Sequence, residues 1–540
     1  MIQNKMDFSM YKNRFFIYSL LALMISGCGG NRTVYDGDWY GTYDETTVVD
    51  MPDQIRHVNT YGTNMDTTHN IAVLLPLTGD NRSIGDTIRT SVEIATLQNA
   101  PHGLSVSFYD TATDTESAIT YALSTNPSAI IGPVFSSDVQ KLRHHNDTQI
   151  PTLSFTSDAN ALGNGIMTMA LMPTNSVESI VKEMKIDDIK KFIIIAPDTE
   201  SGHIMAGIAR QSAQTYELPL IGIFFYTEQD SESIKNTAID ASMNTARTMA
   251  HTRARQVISD ILTGENLNII EQSNLNTQLE KLSKTETLGS VPYDGILFLG
   301  NGADTKNMVS FLRYYNVGAN DARFYGTPMW NGSDITSDFT MSGAKYADMP
   351  QSDVTFTNTF EQISGTTPSR LSSFGYDATN MAISMLYSNK HIPEYLFNKN
   401  GYIGTDGIFR ITPYGETERG LRIMQLNGSG TAVEIKPAPT SFIVPPYTVY
   451  SDIISPSSNM EMESDGIDPD DYIRLPERLR EKYNSKPIGA NAKKKITPLT
   501  KNVTKVDSTP VTENITPTEF ESAKPEAITR TLIDEYEINE

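Results

Sequence analysis

The pattern of apolar and polar positions predicts alternating strands and helices through the middle of the chain. The segment NIAVLLPLTG (70–79) is an apolar, β-branched run ended by a turn, which is typical of a buried strand. The segment after it, 83–100, spaces its apolar residues as one face of a helix does. The same pattern predicts further strands at 104–111, 129–137, 151–157, 190–198, 218–226, 293–301 and 322–328. Helical spacing between these strands predicts βαβ units, and therefore parallel sheet, in two halves of the chain.

One helical stretch is longer than a strand-to-strand crossover needs. Residues 232–284 keep a helical pattern with no strand between them. Two interpretations stay open: this insertion is a docking surface for a partner, or it adds packing to the domain.

The N-terminus has the pattern of an export signal. Lys5, Lys12 and Arg14 precede the apolar run FFIYSLLALMIS (15–26), which has the length of a signal-peptide core. This run is too short to cross a bilayer, because a spanning helix needs about 20 apolar residues.

The only cysteine of the chain follows this run directly. The residues Ile-Ser-Gly (25–27) before Cys28 resemble the bacterial lipobox, a signal in which the cysteine is acylated and becomes the first residue of the mature protein. The resemblance predicts a signal peptide at 1–27 and a lipid anchor on Cys28. The alternatives are a buried cysteine or a chance cysteine after an ordinary signal. The absence of an aspartate directly after the cysteine favours the outer membrane, by resemblance to the sorting signals of enteric bacteria.

Two flanking segments lack sustained periodicity. Residues 28–68 are rich in Asp, Thr, Gly, Tyr and Asn, and we predict a flexible tether there. Residues 446–540 are acidic and then rich in Thr and Pro, which predicts a disordered tail. A short helix at 476–484 stays open. Partner binding by the lysines at 493–495 also stays open, although a solvated charge run is the favoured interpretation of them.

Composition and motifs exclude several kinds of chemistry. The net charge of −22 and a pI of about 4.8 argue against nucleic acid as a partner, because that binding rests on Lys and Arg. The sequence has no nucleophile elbow, zinc-protease motif or phosphate loop. His144 and His145 are adjacent on a predicted helix, so they face different ways and do not suggest a metal site. We therefore predict no cofactor, no metal and no enzymatic activity.

Several segments, in this order, resemble the type I periplasmic-binding domains of the leucine-binding-protein family. They are HNIAVLLPLTGDNRSIGDTIRTSVEIA (69–95), AIIGPVFSSDV (129–139), IPTLSFTSDAN (150–160), YDGILFLGNGAD (293–304), YGTPMWN (325–331), RLSSFGYDATNMAISML (370–386) and GTDGIFRITPYGETERGL (404–421). Some of them, such as GPVFSSDV and GIFRITPYGETERGL, are more similar still to the branch of penicillin-binding-protein activators.

The resemblance implies an α/β fold over residues 69–445, with two lobes of parallel sheet flanked by helices and a cleft between them. It places lobe one at about 69–174 and 334–414. It places lobe two at about 175–333 and 415–445. In this fold the chain crosses between the lobes three times.

The resemblance also implies a polar site at the edge of lobe one. The family's carboxylate-binding serine matches Ser136, and its second contacting loop matches three further residues. The predicted ligand-binding residues of lobe one are Ser136, Ser137, Thr156, Ser157 and Asp158. The alternative is that such residues only cap helices, with Ser137 or Asp138 as the N-cap of the helix predicted at 139–147.

Other positions of the family's amino-acid site are replaced. Ile84 and Ser201 stand where the family usually has tyrosines, and Pro328 stands at or near its acidic partner of the ligand ammonium. An unpaired buried ammonium is costly, so free leucine is in doubt as a ligand. Trp330 is predicted to line the cleft, and core packing is the alternative.

Three functions follow from these expectations. The first is a non-enzymatic, lipid-anchored binding-protein homologue that regulates cell-wall synthesis by contacting a peptidoglycan synthase. The second is a solute receptor that binds a small polar ligand for an amino-acid, amide or peptide transporter. The third is a structural outer-membrane lipoprotein whose tail is the active part. The altered cleft favours the first.

Overall fold

The structure, a computed structural model, describes residues 52–54, 68–442, 456 and 458–489. The predicted signal peptide (1–27) and the lipidation site Cys28 lie outside the described residues. So do residues 446–455, 457 and 490–540 of the predicted tail. No helix among the described residues is long and apolar enough to cross a membrane.

The strands in these ranges are numbered in chain order. They are β1 (Asp53–Gln54), β2 (His69–Leu75), β3 (Leu104–Asp110), β4 (Ala129–Ile131), β5 (Thr152–Ser154), β6 (Ile166–Thr168), β7 (Phe192–Pro197), β8 (Leu220–Tyr226), β9 (Gly295–Phe298), β10 (Arg323–Gly326), β11 (Lys345–Asp348), β12 (Tyr402–Gly404), β13 (Gly407–Ile411), β14 (Thr417–Arg419), β15 (Arg422–Leu426) and β16 (Ala432–Lys436).

The α-helices are numbered in the same way. They are α1 (Arg82–Asn99), α2 (Thr115–Ser124), α3 (Ser136–His145), α4 (Pro173–Ile186), α5 (Glu200–Thr215), α6 (Ser231–Ala241), α7 (Asn244–Gly264), α8 (Ile269–Ser283), α9 (Gly302–Tyr314), α10 (Val354–Ser364), α11 (Arg370–Tyr387), α12 (Ile392–Leu396) and α13 (Glu477–Tyr483). The predicted strands and helices before residue 330 are confirmed, and the helical stretch at 232–284 is three helices, α6, α7 and α8.

Lobe one is a parallel five-stranded sheet in the order β3-β2-β4-β5-β6. Strand β2 is an apolar run with both faces covered, and its residues from Ile71 to Leu75 are completely buried. Helix α1 turns Ile88, Val92 and Ala95 inward, as its helical spacing predicts. Helix α11 packs along α1 and is buried over most of its length.

Lobe two is a seven-stranded sheet in the order β16-β15-β11-β10-β9-β7-β8. Its strands from β11 to β8 are parallel, whereas β15 runs antiparallel to β11 and β16 antiparallel to β15. Strand β7 is buried along its whole length, as the apolar run FIIIAP predicts. The predicted α/β fold with parallel sheets flanked by helices is therefore confirmed.

A third, small sheet joins lobe one. It has the order β1-β12-β13-β14, and the backbone amide of Thr168 at the end of β6 donates to the carbonyl of Gly415 at 2.9 Å. Strand β1 pairs with Tyr402 and Ile403. The tether predicted at 28–68 therefore includes two residues, 53–54, that are part of the fold.

Two of the predicted lobe boundaries are wrong. Residues 334–348 belong to lobe two, because β11 hydrogen-bonds with β10 and β15. Residues 415–419 lie in the small sheet beside lobe one. The chain crosses between the lobes at 169–172, 349–353 and 420–421. These three crossings agree with the number that the family resemblance implies.

The predicted disordered tail is wrong for residues 458–489, which pack on lobe two and are called here the C-terminal segment. Met460 exchanges two backbone hydrogen bonds with Ile223 of the edge strand β8, at 2.9 and 3.3 Å. The segment then crosses α7 and α8 and buries apolar side chains against them. These side chains are Met462, Ile467, Ile473, Leu475 and Leu479. Helix α13 confirms the short helix that the sequence left open at 476–484.

Two glycines position the helix that follows the first strand of each parallel sheet. A Cβ atom on Gly85 would lie 2.0 Å from the carbonyl oxygen of Pro76, and one on Gly202 would lie 2.1 Å from that of Pro197. Only glycine permits this approach of a helix start to the end of a strand. The same contact therefore sets α1 against β2 in lobe one and α5 against β7 in lobe two.

Candidate ligand cleft

The candidate site lies at the carboxyl ends of the parallel strands. In the sheet of lobe one, β3 lies on one side of β2 and β4 lies on the other side, so the strand order reverses at β2. Ligands of open α/β sheets bind outside such a reversal of strand order. The loop after β4 leads into Ser136, so the structure places this predicted residue at the expected edge.

The structure brings two of the predicted residues together. Ser136 is the first residue of α3, and its hydroxyl donates a hydrogen bond to the Asp158 carboxylate, which follows β5. The Gln140 amide lies 3.2 Å from the Ser136 hydroxyl and 3.4 Å from Asp158 Oδ2. The Asn160 backbone amide donates to Asp158 Oδ1 at 2.9 Å. The serine hydroxyl that the resemblance assigns to a ligand carboxylate therefore holds a carboxylate of the chain itself.

The capping alternative is wrong for α3 but holds for Asp158, whose side chain caps the 3₁₀ helix Ala159–Ala161. Helix α3 begins at Ser136 behind Phe135, and no side chain caps it. Ser137 is exposed in the first turn, and Asp138 is buried in the same turn, where it accepts a hydrogen bond from Thr115 Oγ1 at 2.8 Å. Burial raises the pKa of Asp138, and Thr115 and Lys141 oppose that rise.

Thr156 has a structural role in the loop after β5. It is buried, its hydroxyl accepts from the Asp158 amide at 3.1 Å, and its carbonyl accepts from Thr168 Oγ1 at 2.5 Å. Ser157 is half-buried beside it. The loop thereby holds Asp158 against Ser136. A ligand role for Ser136, Ser137, Thr156, Ser157 and Asp158 stays a prediction.

The corresponding edge of lobe two, after β7, carries His203. Thr199 caps α5, and the Ser201 hydroxyl lies 3.1 Å from that of Thr199. His203 Nε2 lies 2.8 Å from Asp198 Oδ1. Its Nδ1 contacts the carbonyl oxygen of Pro456, which lies just before the C-terminal segment. The chain therefore also supplies its own partner for His203 at this edge.

Trp330 does not line the cleft, so this prediction is wrong and the packing alternative is correct. It ends a short 3₁₀ helix that Pro328 begins, and its side chain has no exposed area. Its ring lies 6.0 Å from that of Tyr346 and 6.4 Å from that of Phe298. The indole packs directly against Gly326 at the end of β10, where a Cβ atom would lie 2.2 Å from a ring carbon.

The substitution Gly326→Ala is expected to lower the free energy of unfolding by about 1–3 kcal/mol, because the new methyl group displaces the indole from a filled core. Urea unfolding followed by far-ultraviolet circular dichroism measures the loss. Gly318→Ala is the control, since a Cβ atom there has its nearest neighbour at 3.8 Å. Equal effects of the two substitutions would contradict the packing described here.

A buried ionisable cluster lies beside the crossings. Asp377 of α11 is fully buried and accepts hydrogen bonds from the Thr405 amide at 2.9 Å and the Thr405 hydroxyl at 2.7 Å. Burial raises the pKa of Asp377 to about 6; the Thr405 hydroxyl and Arg419 oppose the rise, and Asp406 adds to it.

This pKa predicts a pH dependence of stability. The folded pKa lies above the usual value of 3.8, so the folded state binds the proton more tightly than the unfolded state does. The resulting stabilisation is complete below pH 4 and is lost as the pH rises to about 6. Asp377→Asn is expected to remove about 2 kcal/mol of the stability change between pH 4 and pH 7, as measured by chemical unfolding. An unchanged pH profile in the variant would contradict the assignment.

Sequence reasoning missed Gln140, His203 and the C-terminal partner of His203. Gln140 lies one helical turn after Ser136, and that spacing was a usable signal. Pro456 is 253 residues from His203, so no local pattern could pair them. No group of three or more His, Cys, Asp or Glu residues suited to a metal ion occurs in the part of the chain that the structure describes.

The two lobes, with their parallel sheets and three crossings, define a type I periplasmic-binding fold. A solved structure described as a "putative branched-chain amino acid ABC transporter" from Rhodospirillum rubrum superposes with a TM-score of 0.52 at 15% identity. The match covers 68% of this chain and 100% of that one. Residues 39–405 match the family described as "LppC putative lipoprotein". The chain belongs to this LppC family, which confirms the resemblance to lipoproteins with a periplasmic-binding fold.

Two further structures are similar at lower scores. The C-domain of LpoA from Haemophilus influenzae, described as a regulator of PBP1A, has a TM-score of 0.46 at 16% identity, covering 68% of this chain and 99% of that one. The leucine-binding protein LivK from Thermotoga maritima has a TM-score of 0.43 at 13% identity, covering 69% and 99%. No curated protein matches this chain.

Proposed function

We propose that this protein is a non-enzymatic lipoprotein, anchored through Cys28 on the periplasmic side of the outer membrane, that regulates a peptidoglycan synthase by binding it. Membership in the LppC family supports the lipoprotein part of this proposal. The synthase part is supported by the segments that resemble penicillin-binding-protein activators, such as GIFRITPYGETERGL (407–421).

One observation carries the choice of a regulator over a solute receptor. The Ser136 hydroxyl donates to Asp158, so a ligand carboxylate at this edge would have to displace an internal carboxylate or lie beside its negative charge. Like charges at hydrogen-bonding distance repel, and the Ser136 donor is already satisfied. Free amino acids are therefore poor ligands for this wall, whereas contact with a protein partner needs no such site.

The proposal is tested with the bifunctional peptidoglycan synthases of the same bacterium. Each purified synthase is assayed for glycan polymerisation with and without the mature chain, and complex formation is measured by surface plasmon resonance. We expect binding to at least one synthase and a several-fold change in its rate. Absence of binding to every synthase would refute the proposal. A variant with Asp158→Ser is the control and should retain the effect, because the proposal does not use the cleft.

The second candidate is a substrate-binding lipoprotein for branched-chain amino-acid uptake. The superposition with the Rhodospirillum rubrum protein over its whole length favours it. A thermal-shift panel of branched-chain amino acids, other free amino acids and peptidoglycan fragments tests it. A ligand present at 100 times its Kd stabilises the folded protein by about 2.7 kcal/mol. A shift with leucine or valine would support this candidate.

The same panel gives a prediction for Asp158. Asp158→Ser keeps an oxygen for the Asn160 amide but withdraws the carboxylate from Ser136, which frees a hydroxyl donor. We expect the variant to bind acetate or leucine about tenfold to a hundredfold more tightly than the wild-type chain, the range of one charge-assisted hydrogen bond. Asp147→Ala is the matched control, since it removes one exposed carboxylate near the other end of α3. Identical affinities in all three proteins would show that Asp158 does not exclude carboxylates.

A further inference from the structure

The three crossings between the lobes are held by arginine side chains. Arg370, near the start of α11, donates to the carbonyl oxygens of Pro350 at 2.6 Å and Met349 at 3.1 Å. Both carbonyls lie at the second crossing, 349–353. One guanidinium of lobe one therefore binds the backbone at the point where the chain leaves lobe two.

A second arginine joins the other two crossings. Arg419 ends β14, directly before the third crossing at 420–421, and its Nη2 donates to the carbonyl oxygen of Met169 in the first crossing. The Arg419 side chain is fully buried. Its guanidinium carbon lies 4.4 Å from the ring centre of Phe374 and 5.2 Å from that of Phe409, so two aromatic rings hold it in place.

Carboxylates connect the second crossing to both lobes. Asp406 is fully buried beside the small sheet, 3.2 Å from Arg370 Nη1, and it accepts from the Ser352 hydroxyl at 2.5 Å. Asp348, at the end of β11 in lobe two, lies 2.9 Å from Arg422 Nη2 and 3.9 Å from Arg370 Nη2. Ion pairs thus run from lobe one through the crossing into lobe two.

We propose that Arg370 and Arg419 lock the two lobes at one angle, so that this protein does not close over a ligand by hinge rotation. Hinge closure in two-lobed proteins changes the backbone torsions of the few residues that connect the lobes. Here Met169 of the first crossing and Met349 and Pro350 of the second are bonded to buried or half-buried guanidinium groups, and Arg419 directly precedes the third crossing. Their rotation would leave desolvated charges without partners, which is costly. The proposal is independent of the synthase, since it concerns the free protein.

The test measures the distance between the lobes by double electron–electron resonance. The chain has a single cysteine, so Cys28→Ser with Tyr121→Cys in lobe one and Tyr314→Cys in lobe two gives one labelled pair. Both tyrosines are well exposed on helices, α2 and α9. The labelled chain with Arg370 and Arg419 intact is expected to give one narrow distance distribution, and neither leucine nor peptidoglycan fragments should change it.

The variant that tests the lock is Arg370→Ala. Its distribution of inter-lobe distances is expected to be at least twice as wide as that of the labelled parent chain. Arg370→Lys keeps the charge and tests the same point if the alanine variant does not fold. Arg82→Ala is the control, because that arginine forms an exposed ion pair within lobe one. A broad or ligand-shifted distribution in the parent chain, or a narrow one in both Arg370 variants, would overturn the proposal. Neither result bears on synthase binding, which is measured separately.

Discussion

A chain that ends at residue 455 is expected to lose on the order of 5 kcal/mol of unfolding free energy relative to the full chain. Such a truncation removes the C-terminal segment, whose five buried apolar side chains pack against lobe two and its inserted helices. Burying one such side chain contributes about 1.5–3 kcal/mol, and the entropy of ordering the segment offsets part of the sum.

The truncation also uncovers the edge of the seven-stranded sheet. The backbone of β8 would lose its bonds to Met460 and the bond from the Glu463 amide to the Ile221 carbonyl at 2.8 Å. An unpaired edge strand is a template for association with another chain. We therefore expect the shortened protein to aggregate more readily, as measured by light scattering at increasing concentration.

The control for this experiment is a chain that ends after Gly489. It keeps the whole C-terminal segment and removes only residues whose composition predicts a disordered tail, so it is expected to unfold within about 0.5 kcal/mol of the full chain. Chemical denaturation and limited proteolysis compare the three proteins. Equal stability of the chains ending at 455 and 489 would show that the segment contributes no net stabilisation.

The substitution Arg419→Met is expected to destabilise the protein by about 3–5 kcal/mol at pH 7, the usual result of removing one partner from buried opposite charges. The methionine fills much of the same volume between Phe374 and Phe409, so a cavity is not the main cause. The loss comes from the buried carboxylates of Asp377 and Asp406, whose charges Arg419 balances. The bond to the Met169 carbonyl is lost as well.

Two further variants separate these causes. Arg82→Met removes an exposed ion pair with Asp86 and is expected to cost no more than about 1 kcal/mol. The double variant Arg419→Met with Asp377→Asn is expected to be more stable than the sum of the single effects predicts, because the substituted groups interact. A loss of less than about 1 kcal/mol for Arg419→Met would contradict the account of this cluster.

The strands and helices of both lobes could be predicted because their signals are local. A buried strand such as β7 is a short apolar run, and a helix such as α1 repeats its apolar residues every three or four positions. The edge at which Ser136 lies was implied by the resemblance to the leucine-binding-protein family, in which a carboxylate-binding serine matches this position.

The errors occurred where a segment is stabilised by distant partners. Strand β11, KYAD, has no apolar run of its own, and only its pairing with β10 and β15 makes it part of lobe two. The C-terminal segment has the composition of a tail. It is ordered because its few apolar residues reach a surface that α7 and α8 provide more than 170 residues earlier.

By itself, the sequence determined the alternation of strands and helices and their order along the chain, because backbone propensity and apolar periodicity act over a few residues. The two lobes and the lobe-one edge were implied by the resemblance to the leucine-binding-protein family. Only the tertiary structure decided that Asp158 accepts the hydrogen bond of the Ser136 hydroxyl, that Trp330 packs on Gly326 and that Arg419 binds the first crossing. Each of these is a contact between side chains or backbone groups on different elements. Such contacts depend on how the elements pack in three dimensions, which no local pattern records.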